Sequence, residues 1–231
     1  MVPVVGWWRW RRWPAGGIPT WGPCRRQNLF RWAEESALIE QLGDVMLAQS
    51  LAMLARLARA GRPPITLHVN LATRQLYSQH LLLRLERLLA HHQIPPEQLV
   101  LEITESQLMQ SPERAFAQMR RLRQLGVGLA LDDFGTGYSA LHCLIGFPLT
   151  ALKLDRSLIQ AVPDSPRAGI VLRHLQLLAG ELELIAVAEG VETPAQQAWL
   201  LAQGIPLLQG FVFSPALDEC KLLAILDSQV A

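Results

Sequence analysis

Short apolar runs alternate with segments of helical periodicity from about residue 40 onward. Six runs rich in Val, Ile and Leu are typical of strands buried on both faces: 65–72, 99–106, 127–133, 151–155, 184–190 and 207–214. Apolar residues spaced three and four apart predict helices at about 43–60, 74–92, 112–125, 167–180, 194–203 and 218–228. The alternation predicts one α/β domain with a parallel sheet, either open and doubly wound or closed into a barrel.

Polar side chains end these predicted strands one after another. The set is Asn70; Glu102 and Glu105; Asp132 and Asp133; Lys153 and Asp155; Glu189 and Glu192; and Gln209. One such residue is readily explained as a satisfied polar group at a sheet rim, but buried charges are costly unless they are paired or bind metal. Because the C-terminal strand ends of a parallel barrel open onto one face, the series predicts a single shared site.

The donor atoms of this set favour a hard divalent cation. Oxygen is the only donor offered by five of its members: Asn70, Glu102, Asp132, Asp133 and Glu189. Oxygen ligands suit Mg²⁺ or Mn²⁺ better than zinc, and such a set can hold two ions about 4 Å apart for phosphodiester hydrolysis. Lys153 would orient the attacking water or neutralise charge on phosphorus, unless it forms a plain ion pair with Asp155.

The stretch "DDFGTGYSAL", residues 132–141, follows one of these strands. Gly135, Thr136 and Gly137 indicate a tight loop near a ligand, although ordinary turn chemistry explains the glycines taken alone. The adjacent aspartate pair makes the combination more specific.

Charge is balanced overall but unevenly distributed. The net charge of +1 gives the whole chain no electrostatic reason to bind nucleic acid. Six of the 21 basic residues lie in 1–33, which contain no acid, so 15 basic and 20 acidic residues remain and the rest carries −5. Within "VVGWWRWRRWP", residues 4–14, four tryptophans stand beside three arginines.

Three widely spaced cysteines without a CxxC pair are typical of free thiols in a reducing compartment. No apolar run approaches the roughly 20 residues that span a bilayer, and the basic N-terminus lacks the apolar segment of a secretory signal. The sequence therefore predicts a cytoplasmic protein without a membrane span.

Six motifs together carry a family resemblance. They are "HVNLATRQL", "LVLEITESQLM", "LALDDFGTGYSAL", "ALKLDRSLI", "IAVAEGVETPAQ" and "LLQGFVFSPAL". In order and spacing they resemble EAL-domain cyclic di-GMP phosphodiesterases over about residues 33–228. The resemblance implies a modified TIM (β/α)8-like barrel that hydrolyses cyclic di-GMP to linear pGpG with Mg²⁺ or Mn²⁺.

The same resemblance assigns roles to individual residues. It implies metal ligation by Asn70, Glu102, Asp132, Asp133 and Glu189. It implies catalysis by Lys153 with Asp132 and Glu189, and a pocket lined by Asp155, Glu192 and Gln209. Glu105 would brace the loop of Gly135, Thr136 and Gly137, and that loop would support a homodimer.

The chain departs from the family at its beginning. Family members open with a strand similar to "GVEALLRW", whose glutamate ligates metal and whose arginine contacts a phosphate. Aligned on Gly6 and Arg12-Trp13, the EAL triplet falls on Trp8-Arg9-Trp10, and the first carboxylate in the chain is Glu34. Arg12 would keep its role, whereas the lost glutamate predicts strongly impaired turnover because indole cannot coordinate Mg²⁺.

Residues 1–32 are accordingly interpreted as an aberrant Trp/Arg-rich segment in place of the first barrel strand, and residues 33–231 as the barrel domain. Codons can be chosen for residues 26–32 that spell Ala-Glu-Ser-Val-Pro-Leu in another frame, so a frameshift corrected near Trp32 is one hypothesis.

Three functions remain open. The first is a metal-dependent phosphodiesterase, and the second is a non-catalytic cyclic di-GMP sensor or protein-interaction module. The third, a Trp/Arg arm that contacts nucleic acid or a membrane surface, is disfavoured because the arm aligns with a barrel strand and lacks helical amphipathicity.

Overall fold

The sheet is entirely parallel and its strands follow one another in chain order. The computed structural model describes residues 4–5, 38–135, 140–215, 217 and 219–228. Its strands are β1 (Val4–Val5), β2 (Thr66–Asn70), β3 (Leu99–Thr104), β4 (Gly128–Phe134), β5 (Ala151–Leu154), β6 (Ile185–Ala188) and β7 (Leu207–Leu208). A doubly wound sheet reverses its strand order, whereas a barrel wall does not. The structure confirms the α/β fold and decides for the TIM-barrel-like alternative.

The helices cover the outer face of this wall. They are α1 (Leu38–Arg59), α2 (Thr73–Leu76), α3 (Leu81–His92), α4 (Glu105–Gln110), α5 (Pro112–Leu125), α6 (Ala140–Gly146), α7 (Arg156–Ile159), α8 (Pro166–Glu181), α9 (Pro194–Ala202) and α10 (Glu219–Ser228). All six predicted helices are present, but the one predicted over 74–92 is two helices. With at most seven residues each, α4, α6 and α7 are too short for periodicity to predict.

Helices α5 and α9 both begin with a proline in the first turn but differ in their caps. At α9 the capping box is complete. Thr193 Oγ1 accepts from the backbone N–H of Gln196 at 3.2 Å, and Gln196 Oε1 accepts from the backbone N–H of Thr193 at 3.1 Å. At α5 Ser111 occupies the cap position but its side chain makes no capping hydrogen bond. The start of α5 therefore relies on Pro112, whose ring fixes a helical φ and whose missing amide hydrogen needs no partner in the first turn.

The strand predicted over 207–214 is wrong in length. Only Leu207–Leu208 form β7, and residues 211–213 turn. The chain instead pairs with the loop after β6, since the amide of Val191 donates to the Gln209 carbonyl and the amide of Val212 donates to the Val191 carbonyl, both at 3.0 Å. A Cβ at Gly210 would lie 2.0 Å from the Val191 carbonyl oxygen, so only glycine permits this approach.

Among the described residues, two apolar clusters lie on opposite faces of the sheet. The large one, from Leu47 to Leu226, fills the space between sheet and helices. The small one consists of Val100, Ala130 and Ala151 on the inner face, where short apolar side chains lie next to the polar strand ends.

By length and composition α1 is long and apolar enough to cross a membrane, although core helices of other proteins meet the same criterion. The sequence prediction that no apolar run reaches this length did not anticipate it. Seven α1 residues are buried, among them Leu47, Leu51 and Leu54, and Asp44 forms an ion pair with Arg84 of α3.

Candidate functional site

One buried lysine stands at the centre of the polar strand ends. Lys153 of β5 is fully buried, and its Nζ lies 2.7 Å from Glu102 Oε2, 2.8 Å from Asp132 Oδ1 and 2.6 Å from Glu189 Oε1. The carboxylates come from β3, from β4 and from the residue after β6. Since strands of a barrel alternate inward and outward residues, these side chains share the inner face and meet at the C-terminal edge.

The alternative interpretation of Lys153, a plain ion pair with Asp155, is wrong. Asp155 instead caps α7, where its Oδ1 accepts from the Ser157 amide at 2.9 Å. A buried ammonium requires compensation, and here three carboxylates provide it.

The aspartate pair reaches the site through an irregularity of β4. Neighbouring residues of a regular strand point to opposite faces, so two consecutive aspartates should not share a site. The pairing of β4 with β5 shifts register between Leu131 and Phe134, and Asp133 has a left-handed φ of 56°. Oxygens of Asp132, Asp133 and Glu189 consequently lie within 4.8 Å of one another, close enough to share a metal ion.

The charges within this cluster shift one another's pKa. Burial alone would lower the pKa of Lys153, but Glu102, Asp132 and Glu189 hold it well above its ordinary value. Burial alone would raise the pKa of Glu102, but a hydrogen bond from His68 and the charge of Lys153 hold it below the ordinary value. Both groups are therefore charged at neutral pH.

The other two carboxyls shift in the opposite direction. Burial, opposed by Lys153 and assisted by the charge of Asp132, raises the pKa of Glu189 to about 7. Burial and the neighbouring charges of Asp132 and Asp155 raise the pKa of Asp133. Without a cation, the cluster holds more negative charge than Lys153 balances, which is the electrostatic condition that a divalent ion relieves.

The remaining predicted residues lie around this cluster in different states. Asn70 is exposed at the end of β2, opposite Glu102 in the ladder. Glu192 is paired, its Oε1 lying 2.8 Å from Arg156 Nη2. Gln209 lies after β7, and its backbone N–H donates to the backbone carbonyl of Ala188 at 2.8 Å.

The loop residues are described only in part. Glu105 begins α4, which contacts β4 and α6 on either side of the loop. Gly135 has a φ of +109°, and a Cβ there would lie 2.9 Å from Leu158 Cδ1, so the position requires glycine. Arg12, Trp8-Arg9-Trp10, Thr136 and Gly137 lie outside the described residues.

Sequence reasoning did not identify two residues that contact the site. His68 Nδ1 lies 3.1 Å from Glu102 Oε1, and the only sequence signal is its place two residues before Asn70 on the same strand face. Arg156 forms an ion pair with Glu192. Its side chain also packs against Gly190, which has a φ of +70°, and a Cβ added at that glycine would lie 2.5 Å from Arg156 Cγ. Its only signal is its position after Asp155.

This parallel sheet with an acidic cluster and a buried lysine at its C-terminal edge defines an α/β barrel whose site suits an oxygen-bound cation. The sequence profile of the EAL domain matches residues 12–216, and the chain belongs to the EAL domain family.

Named relatives and solved structures agree with this membership. The chain is 37% identical over 186 residues to the cyclic di-GMP phosphodiesterase RocR of Pseudomonas aeruginosa, covering 80% of this chain and 47% of RocR. It is 37% identical over 214 residues to the cyclic di-GMP phosphodiesterase NbdA of the same species, covering 93% and 27%. The chain thus spans less than half the length of these relatives.

Among solved structures, the EAL domain of Mycobacterium smegmatis DcpA is 32% identical with a TM-score of 0.78, covering 83% of this chain and 86% of that one. The MucR phosphodiesterase in complex with c-di-GMP is 32% identical with a TM-score of 0.77, covering 85% and 80%.

Replacing Lys153 tests the role of the buried ammonium in stability. We expect Lys153→Met to lower the free energy of unfolding of the metal-free protein by about 3–5 kcal/mol, because three carboxylates lose their counter-charge. Urea unfolding measures the change, and Mn²⁺ should restore part of it. Lys221→Met, at an exposed lysine of α10, is the matched control and should change stability by about 0.5 kcal/mol or less. Equal urea midpoints for Lys153→Met and wild type would contradict the expectation.

The raised pKa of Glu189 predicts a pH dependence of cation binding. Below pH about 7 this carboxyl holds a proton that a bound cation must displace, so Mn²⁺ affinity should rise between pH 5 and 7 and then level off. Calorimetry across that range measures the slope, up to about tenfold per pH unit for one displaced proton. Glu189→Gln cannot titrate and should bind more weakly with a shallower slope. An affinity that is flat from pH 5 to 7 in wild type would exclude this linkage.

Proposed function

We propose that this chain is an EAL-type domain of cyclic di-GMP signalling whose site is that of a metal-dependent phosphodiesterase, producing linear pGpG, with turnover impaired because the EAL glutamate is missing. The observation that carries the proposal is the contact of Lys153 with Glu102, Asp132 and Glu189 at the C-terminal strand ends. Relatives named as cyclic di-GMP phosphodiesterases, and a MucR structure with c-di-GMP, support this substrate.

Each described residue has a part in the proposed reaction. Mg²⁺ or Mn²⁺ would be held by the oxygens of Asp132, Asp133 and Glu189, extended by those of Glu102 and Asn70 towards a second ion. A bound cation supplies positive charge that polarises a phosphodiester and acidifies water. Lys153 keeps three of the carboxylates in place and adds a positive charge beside the phosphate oxygens.

The nucleotide would lie across the rim of this cluster. Asp155, Glu192 and Gln209 follow three neighbouring strands and offer hydrogen-bond acceptors and an amide there. Arg12 would contact a phosphate. Because Glu192 pairs with Arg156, its contact with substrate requires that this exposed ion pair opens or that both side chains move together.

The impairment rests on the first strand. Val4 and Val5 form β1 and pair in parallel with Thr66 and Leu67 of β2, and the positions aligned with the EAL triplet come after β1 in the chain, outside the described residues. The proposed alignment puts Trp8 where the family has its glutamate. We further propose that residues 1–32 are the aberrant segment and residues 33–231 the barrel domain. A frameshift is the proposed origin of the segment, and resequencing of the coding DNA tests the frameshift directly.

Restoring the carboxylate tests the proposed impairment. We expect Trp8→Glu to raise Mn²⁺-dependent hydrolysis of cyclic di-GMP at least about tenfold. Removing a group that only supports a metal ligand lowers metal affinity or activity about 10–100-fold, and removing the ligand itself should lower them at least as much. Chromatographic detection of pGpG measures it. Trp8→Gln is the matched control, since it removes the indole without supplying a charge, and Asp132→Asn should abolish turnover in either background. The proposal fails if Glu and Gln at position 8 give the same rate.

A non-catalytic sensor or protein-interaction module is the second candidate, favoured by the absence of any carboxylate before Glu34. Calorimetry with cyclic di-GMP separates the two functions: binding without turnover, with wild-type rates equal to those of Asp132→Asn, indicates a sensor.

Cys143 and Cys220 are free, which supports the proposal of a cytoplasmic protein.

The proposed homodimer has a surface on α6, directly after the DDFGTG stretch. Leu141 is 60% exposed and Ile145 is 83% exposed, and side chains of this kind are commonly covered in an oligomer.

A charge on this surface tests the dimer. We expect Ile145→Asp to shift the mass measured by light scattering from dimer to monomer, because a buried unpaired carboxylate is costly at an interface. Leu177→Asp is the matched control on α8, where the side chain is 62% exposed and should leave the mass unchanged. A monomeric wild type, or a dimer that survives Ile145→Asp, would exclude this interface.

A further inference from the structure

His68 is a buried histidine that the proposed reaction does not use. Its side chain is 5% exposed and its Nδ1 lies 3.1 Å from Glu102 Oε1. The other oxygen of the same carboxylate, Oε2, lies 2.7 Å from Lys153 Nζ. Glu102 is thus held on both oxygens, by the lysine at the centre of the site and by a histidine of the neighbouring strand β2.

His68 lines a cavity of about 370 Å³ on the side of the barrel away from the strand ends, so packing does not surround its ring on every side. Its lining includes Thr66, His68, Val100, Gly128, Ala151 and Val187. Glu102 itself has polar contacts on both carboxylate oxygens, with His68 Nδ1 at 3.1 Å and Lys153 Nζ at 2.7 Å. These two contacts orient the carboxylate.

The chemistry of the pair determines which atom carries the proton. An ionised carboxylate only accepts hydrogen bonds, so the imidazole must donate from Nδ1. A donor of this kind stabilises the ionised carboxylate and restricts its rotation. Groups that support metal ligands in this way contribute about 10–100-fold to metal affinity.

We infer that His68 is a positioning residue: it holds Glu102 through its Nδ1 hydrogen so that the carboxylate faces the cation site and Lys153. This inference rests on the proposed metal-dependent function, and it adds a residue that reaches the ion only through Glu102.

Two substitutions separate the hydrogen bond from the volume of the side chain. Asparagine places its amide nitrogen on Cγ, where histidine has Nδ1, so His68→Asn keeps the donor. Leucine fills similar space without a donor, and the cavity can accommodate it. His174→Leu makes the same change at an exposed position of α8. Circular dichroism and thermal melting establish that each variant is folded before binding is measured.

Calorimetry with Mn²⁺ alone gives the first readout. We expect His68→Leu to weaken Mn²⁺ binding about tenfold or more, and His68→Asn and His174→Leu to bind nearly as wild type does. A residue that served only as core filling would show the opposite order, because leucine would replace it better than asparagine.

Nuclear magnetic resonance of ¹⁵N-labelled histidine in the metal-free protein gives the second readout. Two-bond ¹H–¹⁵N correlations should show the proton of His68 on Nδ1, and Glu102→Leu should remove that preference. Unchanged Mn²⁺ affinity in His68→Leu, or a proton on Nε2 alone, would overturn the inference. If wild type binds no Mn²⁺ the metal-dependent function fails, and the proton position with its response to Glu102→Leu decides the inference about His68.

Discussion

A fully buried ammonium between three carboxylates is the constraint on which the rest of the site depends. The Lys153 ammonium is stable without water only because Glu102, Asp132 and Glu189 surround it at 2.6–2.8 Å. These partners come from successive segments of the wall, so a shift of one residue in any ladder would remove a partner and turn it towards the helices. The register of the barrel and the electrostatics of the site therefore stabilise each other.

The same arrangement leaves a charge imbalance. One ammonium does not balance the four acids of the cluster, and the structure accommodates the excess by raising the pKa of Glu189 to about 7 and that of Asp133 as well. Shifted pKa values of this kind are typical of functional sites, where the arrangement of charged groups is balanced only when the ligand is bound. Asp133 adds a backbone component, because its φ of 56° is uncommon for a residue with a side chain. Local irregularity and unbalanced charge thus coincide at one strand end.

The sequence predicted the parts of the molecule that follow from repetition. Apolar runs and polar strand ends recur with a fixed relation to the sheet, so the parallel sheet and the convergence of Glu102, Asp132, Lys153 and Glu189 could be predicted without coordinates. The pattern left an open sheet and a barrel both possible, and the family resemblance favoured the barrel. Features that depend on one residue's backbone or on a distant partner could not. The bulge at Asp133, the pairing of Arg156 with Glu192 and the turn after Leu208 belong to that group. A motif locates Glu192 at the rim but does not say which side chain it contacts.

The small interior of the barrel explains how such a site can diverge while the fold persists. The large cluster that stabilises the domain lies between sheet and helices, whereas Val100, Ala130 and Ala151 fill little of the interior beneath the site. Charges and hydrogen bonds connect Glu102 and its neighbours in the site, at distances of 2.6–3.1 Å. An inner substitution that preserves the charge balance around Lys153 would therefore act on the site more directly than on folding. If the first acidic ligand is lost, as proposed above, the barrel would still keep Glu102, Asp132, Glu189 and the buried Lys153 in contact.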